Sequence, residues 1–386
     1  MGLFLILGLI FLISPMLGIA FTFVSLSLHH ESKNKSLISF FYIGLFLGII
    51  NTLKVPVSDL ENYFSMYTYG HDLGFLPYVL SFGKEPFFML FNYIIYELTS
   101  GSFNFYLAIF TILCYMLIFQ SIWIVHNRIR LSRYTFIMAI CVASFFPNIF
   151  LLSAHLMRQF MAASIILFVL VNFGFNKKRG YILFIIAILT HSTALVFSFL
   201  YLPFLKQKIS SSKIVIYAII MLLIGSAIAA FSSTFLDLFE DIPVLSYVFY
   251  RLNGTVVQWE TENISILSFL LQFFVLLSFY KATNLARFQL NNLIQILFIT
   301  SLFLFMFVAV NYSNTEIALR FSFYLYFLFP VAVYFLPSLS FKNTNIKNEK
   351  FLSCIIFIIF PSWFFYKLNY GEWEYNNLFS LIFYYE

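Results

Sequence analysis

An arginine at the junction of two apolar segments is the first residue of this sequence that could do chemistry. Arg158 and Gln159 stand within the tract Ser153–Ala162, between two long apolar runs. An arginine near the bilayer centre costs roughly 2.5–3.5 kcal/mol on insertion scales, so one kept there usually has an anionic partner. A guanidinium fork matches phosphate oxygens in bidentate fashion. Arg158 is therefore either a ligand for a lipid phosphate or pyrophosphate, or an arginine that snorkels or pairs two helices.

A histidine lies in a second polar feature. The apolar segment Tyr181–Leu205 is interrupted by the polar stretch Thr190–Thr193, which contains His191. Imidazole titrates near neutral pH, which makes His191 a candidate general base. The alternative is a histidine that only hydrogen-bonds a neighbouring helix. A polar break of this kind in apolar sequence indicates a lined cavity.

Two further arginines could bind phosphate. Arg320 opens the apolar run Phe321–Leu336 and follows Glu316 by one helical turn. It is either the ion-pair partner of that carboxylate or a second phosphate ligand. Arg251 lies in a long polar segment rich in aromatic residues, where it is either an ordinary surface residue or a third ligand.

Carboxylates stand beside aromatic residues at two places. Asp59 is followed by Tyr63, and in the C-terminal tail Trp373 lies between Glu372 and Glu374. A flat apolar face with carboxylates at its rim suits a sugar, whereas interfacial Tyr and Trp also form the aromatic belt of membrane proteins. Asp59 is thus a second candidate base, and Tyr63 and Trp373 are candidate sugar contacts.

The elements that must position these residues are membrane helices. Of the 386 residues, 62% are apolar and only 10% are charged, against about 25% charged in soluble domains. A membrane span needs roughly 20 apolar residues. Several runs approach that length, namely Leu3–Leu28, Phe103–Val125, Tyr181–Leu205, Ile214–Phe231 and Leu293–Val310. The sequence predicts an all-α polytopic membrane protein with a single domain, 1–386.

The distribution of charge predicts the topology. Basic residues concentrate in short loops, which the positive-inside rule places in the cytoplasm; the loops are Lys33–Lys35, Arg128–Arg133, Lys177–Arg179, Lys206–Lys213, Lys281–Arg287 and Lys342–Lys350. Both termini then lie outside, with about ten full spans. Pro86–Ser100 and Tyr181–Leu205 would be re-entrant or interfacial, as is tolerated along a cavity. The alternative makes both of them full spans, but it exports two basic loops. The loops 55–85 and 232–263 and the tail 368–386 would be extracytoplasmic, so any chemistry is expected there.

Several function classes find no support. The sequence has no P-loop, no Gly-rich dinucleotide turn, no His-Glu-x-x-His and no cysteine pair, the motifs of nucleotide-driven and zinc-dependent chemistry. We therefore expect neither a cofactor nor a metal. The net charge of +6 lies in membrane loops, so nucleic acid is not an expected partner.

Taken in order, four motifs resemble the EpsG-like and Wzy-type polymerases of O-antigen and exopolysaccharide. An acidic-aromatic loop follows the second span, and a Lys-Glu-Pro-Phe-Phe element opens a short apolar segment. An arginine tract then begins a span that ends in a basic turn, and the histidine element comes last. The four are Ser58–Tyr63, Lys84–Phe88, Met157–Gln159 with Asn176–Arg179, and Thr190–Ala194. The resemblance covers mainly the first half of the chain.

The resemblance implies a GT-C-like helical glycosyltransferase in the bacterial inner membrane, with its active site facing the periplasm. Such an enzyme transfers a growing glycan from undecaprenyl pyrophosphate onto a new lipid-linked repeat unit, without a metal, and can work with a chain-length regulator. Arginines at the pyrophosphate and a base at the acceptor hydroxyl would carry the reaction. The expected roles are pyrophosphate binding by Arg158, Arg320 and Arg251, proton transfer by His191 or Asp59, and substrate contacts by Gln159, Glu316, Tyr63 and Trp373. A lipid-linked oligosaccharide flippase, an O-antigen ligase and a membrane O-acyltransferase are the alternatives.

Overall fold

The computed structural model describes residues 2–69, 71–81, 85–173, 177–201, 265–285, 292–312, 315–340, 346–371 and 374–382, with isolated residues between 216 and 238. Within these ranges every regular element is a helix, apart from one isolated bridge between Lys54 and Tyr375. The chain divides into two compact units, one of residues 1–196 and 336–386 and the other of residues 197–335. The helical architecture expected from the composition is confirmed.

The first unit contains the helices up to the histidine element and the last long helix. They are α1 Gly2–Ile13, α2 Pro15–His29, α3 Lys33–Thr52, α4 Asp59–Tyr69, α5 Phe75–Ser81, α6 Pro86–Thr99, α7 Phe103–Ile129, α8 Arg133–Phe145, α9 Pro147–His155, α10 Met157–Phe173 and α11 Lys177–Thr190. After the 3₁₀ helix Ser192–Tyr201, the second unit has α12 Ile266–Asn284, α13 Asn292–Val310 and most of α14 Thr315–Ser340. The first unit then resumes with α15 Ile346–Tyr370.

Six of these helices are long and apolar enough to cross a membrane, and the bent pair α8–α9 makes seven if it is one span. The two helices of that pair meet at an angle of 43°. The bend falls at Phe146 and Pro147. Pro147 is the first residue of α9, a position that suits its fixed φ and its missing N–H. The structure therefore supports a polytopic membrane protein, with six or seven candidate spans within the described residues.

The predicted first span, Leu3–Leu28, is two short helices instead of one. Ser14 has an extended backbone (φ −158°), and its side chain accepts a hydrogen bond from the backbone N–H of Leu17 at 3.3 Å. Pro15 follows as the first residue of α2. A capping serine followed by proline is a typical helix start, which explains the division. Most of the predicted span Ile214–Phe231 lies outside the described residues.

The two segments expected to cross incompletely are both short helices. Pro86–Thr99 forms the 14-residue helix α6. The helix α11 ends at Thr190, and a 3₁₀ helix begins at Ser192. The polar break read from the sequence is therefore a real end of an α-helix, with His191 in the gap.

Basic residues stand at one end of four helices of the first unit. Helices α3, α8 and α11 begin with Lys33, Arg133 and Lys177, whereas α7 ends just after Arg128. The opposite ends of α9 and α11 lead to His155 and to the gap at His191, and α10 begins beside Arg158. In α11 the basic first turn and His191 therefore stand at opposite ends of the helix.

Close packing of α3 against α7 depends on two glycines one turn apart. A Cβ atom at Gly48 would lie 3.1 Å from the carbonyl oxygen of Ala108, and one at Gly44 would lie 3.2 Å from the Cα of Ile112. Glycines spaced by four residues allow two helix backbones to approach in a membrane. The pair therefore fixes the position of the helix that leads into the polar end of the unit.

We expect Gly48→Val to destabilise the protein by about 1–3 kcal/mol, the usual cost of overpacking, because its side chain meets the α7 backbone. The measurement is the thermal unfolding midpoint of the purified protein in detergent. Gly2→Val is the matched control, since nothing lies within 4 Å of a Cβ at Gly2. Equal midpoints for Gly48→Val and wild type would contradict this packing.

Candidate active site

A buried glutamate joins the two residues singled out from the sequence. One carboxylate oxygen of Glu85, Oε2, accepts a hydrogen bond from Nη1 of Arg158 at 2.5 Å. The other oxygen, Oε1, contacts Nδ1 of His191. The side chains of Glu85 and His191 are each only 9% exposed, whereas that of Arg158 is 38% exposed. The guanidinium is thus held from behind by Glu85 and remains accessible to a ligand.

Each member of this triad lies at an interruption between helices. Glu85 directly precedes α6, and its backbone carbonyl accepts hydrogen bonds from Phe88 and Met89. Arg158 is the second residue of α10, just after the non-helical Leu156, and His191 follows the end of α11. Helix ends keep polar backbone groups available, and irregular backbone at membrane depth is tolerated where it lines a cavity.

The local charges keep the carboxylate ionised. Burial raises the pKa of Glu85, but the hydrogen bond with His191 and the positive charge of Arg158 oppose it, and the net result is a lowered pKa. The carboxylate can therefore orient both partners at neutral pH. With Nδ1–H donated to Glu85, the neutral imidazole carries its lone pair on Nε2, which is the atom able to accept a proton.

Tyr63 forms the next contact of the arginine. Its hydroxyl accepts a hydrogen bond from Nε of Arg158 at 3.4 Å, and the guanidinium carbon lies 5.8 Å from the centre of its ring. Tyr63 is buried on α4, and burial is the first cause of its raised pKa. Asp59 begins the same helix one turn earlier, and its charge contributes to that raised pKa. Asp59 is therefore near Tyr63, but it does not contact the triad.

Buried polar bonds fix the helices that carry the triad. Nδ2 of Asn51 donates to the hydroxyls of Thr111 on α7 and Ser153 on α9, at 2.8 and 2.7 Å. The hydroxyl of Tyr106 donates to Oδ1 of Asn92 at 2.7 Å, which joins α7 to α6. Satisfied buried hydrogen-bond networks rigidify their surroundings. Both α9, which precedes Arg158, and α6, which follows Glu85, are therefore fixed in position relative to α7.

The remaining predicted residues fall in different places. Gln159 is buried on α10 beside Arg158. Arg320 lies on α14 in the second unit, and it is half-buried. Glu316 belongs to the same helix, but the structure does not describe its side chain. Arg251 and Trp373 lie outside the described residues.

Glu85 was not among the residues predicted for the site, although it belongs to the Lys84–Phe88 motif of the family resemblance. A usable signal was present: an acid directly before the proline that opens an apolar helix is poorly placed for lipid and needs a cationic partner. Arg158 and His191 were both basic candidates with no acidic partner assigned, and that lack could have directed attention to Glu85. The structure shows that this acid serves both of them.

The arrangement can stabilise an anion and move a proton. Arg158 offers N–H groups to an incoming phosphate, and His191 can take a proton from a hydroxyl. In the part of the chain that the structure describes, no group of three His, Cys, Asp or Glu side chains could hold a metal ion. The donors present suit a phosphate ester with a hydroxyl acceptor.

Comparison with known proteins identifies the family. The model of the EpsG family matches residues 37–380, which is most of the chain, and the chain belongs to that family. The resemblance read from the motifs is therefore confirmed. No curated protein and no solved structure matches this sequence.

Proposed function

We propose that this EpsG-family protein is a membrane glycosyltransferase that polymerises undecaprenyl-pyrophosphate-linked oligosaccharide repeat units into O-antigen or exopolysaccharide. It would act at the periplasmic, outer face of the bacterial inner membrane and adopt a GT-C-like helical fold. Family membership supports a role in polysaccharide polymerisation. The observation that carries the mechanism is the buried Glu85 shared between Arg158 and His191.

The reaction breaks the bond between the anomeric carbon of the growing glycan and the pyrophosphate oxygen. Its electron pair leaves with the pyrophosphate, so negative charge grows on the leaving group. Arg158 is placed to stabilise that charge, because Glu85 and Tyr63 hold its guanidinium in one orientation. Arg320 and Arg251 are proposed as further pyrophosphate ligands.

A new bond forms between the anomeric carbon and a hydroxyl oxygen of the acceptor sugar. The hydroxyl proton passes to Nε2 of His191, whose other nitrogen is held by Glu85. The resulting imidazolium is stabilised by the ionised carboxylate, as expected for a base oriented by an acid. Asp59 is the second candidate base, since it lies one turn from Tyr63 on α4.

The remaining contacts belong to the substrates. Gln159, Glu316, Tyr63 and Trp373 are proposed to bind sugars or the lipid-linked acceptor, and the lipid tails would lie between helices. Membrane lipids surround the exposed apolar faces, such as that of α1, where Leu9 and Leu12 are exposed. A chain-length regulator is a proposed protein partner.

The first test is a gel of surface polysaccharide from a deletion strain. We expect the ladder of polymer to collapse to single repeat units, and the wild-type gene to restore it. Loss of a ligase would instead leave full polymer on its lipid carrier, and loss of an acyltransferase would change acetylation without changing length. A ladder that survives deletion would contradict the proposed polymerase.

A further inference from the structure

A second basic cluster lies next to the triad, and the mechanism above does not use it. Lys54 follows α3 and is only 4% exposed, and its amine contacts Nε2 of His155. The amine also lies 5.9 Å from the centre of the Tyr375 ring. His155, at 8% exposed, is the last residue of α9. A buried amine therefore contacts a buried imidazole and lies near an aromatic ring.

The C-terminal tail pairs with the segment that carries Lys54. The backbone N–H of Val55 donates to the carbonyl of Glu374 at 3.0 Å, and that of Asn376 donates to the carbonyl of Leu53 at 2.6 Å. We call the two paired strips, Leu53–Val55 and Glu374–Asn376, the tail clasp. Lys54 and Tyr375 face each other at its centre as the isolated bridge.

The cluster is close to the arginine of the triad. His155 and Arg158 are three residues apart along the chain, so their Cα atoms lie within about 11 Å of each other. Both flank the non-helical Leu156, at the break between α9 and α10. Lys54 and His155 therefore lie close to the backbone that carries Arg158.

The chemistry of an amine against an imidazole suits a phosphate. If both groups were protonated, their like charges would repel at contact distance. A phosphate that contacts both removes this conflict, because the N–H groups donate to different oxygens of one anion. Burial lowers the pKa of Lys54 to about 7, so a bound anion would also favour the charged amine.

We infer that Lys54 and His155 form a phosphate-binding subsite beside Arg158, walled by Tyr375 of the tail clasp. The ligand class is a diphosphate, of which Arg158 takes one phosphate and Lys54 with His155 the other. The identity of this ligand as a lipid-linked diphosphate rests on the proposed function. The presence of an anion subsite at Lys54 does not.

The test is a binding titration with the full chain in nanodiscs of phosphatidylcholine. The probes are inorganic pyrophosphate and farnesyl diphosphate, and the proteins are wild type, Lys54→Met and Lys33→Met. Lys33→Met is the matched control, because Lys33 is an exposed lysine at the other end of the same helix. We expect Lys54→Met to raise the Kd about 10-fold or more, as for the loss of one charge-assisted contact, and Lys33→Met to leave it unchanged.

Each outcome has a definite meaning. A Kd that rises for both probes supports a subsite that needs only the phosphates, and one that rises for farnesyl diphosphate alone supports a lipid-linked source. Equal Kd values in wild type and Lys54→Met overturn the inference. If Lys54→Met does not fold, His155→Gln is titrated instead, with the same expected rise. A Lys54-dependent Kd in a protein whose deletion spares the polysaccharide ladder would overturn the proposed polymerase and leave the anion subsite standing.

Discussion

Replacing Glu85 with glutamine should reduce polymerisation by about 10²- to 10⁴-fold, the range typical of a lost acid–base function, while the protein still inserts in the membrane. The two oxygens of Glu85 accept from Arg158 and His191 separately. An amide keeps one acceptor and turns the other position into an N–H donor. One of the two basic partners then faces a donor and loses its orientation. The measurement is the rate at which purified enzyme extends lipid-linked repeat units.

Glu97→Gln is the matched control for this substitution. Glu97 is an exposed carboxylate on the same helix, α6, so its loss changes the charge without touching the triad. A double variant Glu85→Gln with His191→Ala should be little worse than either single variant, because both act through one unit. Full activity in Glu85→Gln, or simple multiplication of the two losses, would contradict the shared role.

The membrane helices could be predicted from the sequence because each span is specified by the hydropathy of its own residues. Runs such as Phe103–Val125 and Leu293–Val310 fall within α7 and α13, since roughly 20 apolar residues suffice to specify a span. The break at His191 was also predictable, because a polar stretch inside apolar sequence is itself local. Leu3–Leu28 is long enough for one span by its apolar length, and Pro15 alone does not reveal the division, because membrane helices tolerate proline.

The composition of the site could not be predicted in the same way. Glu85 is 73 residues from Arg158 and 106 from His191 along the chain, and no local pattern says that the three meet. Lys54 and His155 are likewise 101 residues apart. The sequence predicted the two basic members of the triad, Arg158 and His191, since arginine and histidine are costly in lipid. It missed the acid, because only tertiary packing shows which carboxylate compensates them.

Arg158→Ala should reduce the rate by about 10²- to 10³-fold, which is typical for removing one donor to a developing anion. Its guanidinium is the accessible group of the triad, whereas Glu85 and His191 are nearly enclosed. Arg158→Lys should recover only part of the rate, because an ammonium keeps the charge but cannot form the bidentate fork. Removing the arginine also leaves the buried Glu85 with one basic partner, so membrane insertion and thermal stability are measured in parallel.

Arg133→Ala is the matched control for Arg158→Ala, because it removes an arginine that lies outside the candidate site. Arg133 is exposed at the basic end of α8, where its guanidinium donates to the hydroxyl of Tyr134 at 3.1 Å. Its variant should insert and polymerise like wild type, since it removes the same charge from the end of the bundle opposite the triad. If Arg158→Ala inserts normally and polymerises at the Arg133→Ala rate, the leaving pyrophosphate is stabilised elsewhere. If Arg158→Lys alone regains a measurable rate, positive charge at this break is what the reaction needs, and the fork sets how well it is used.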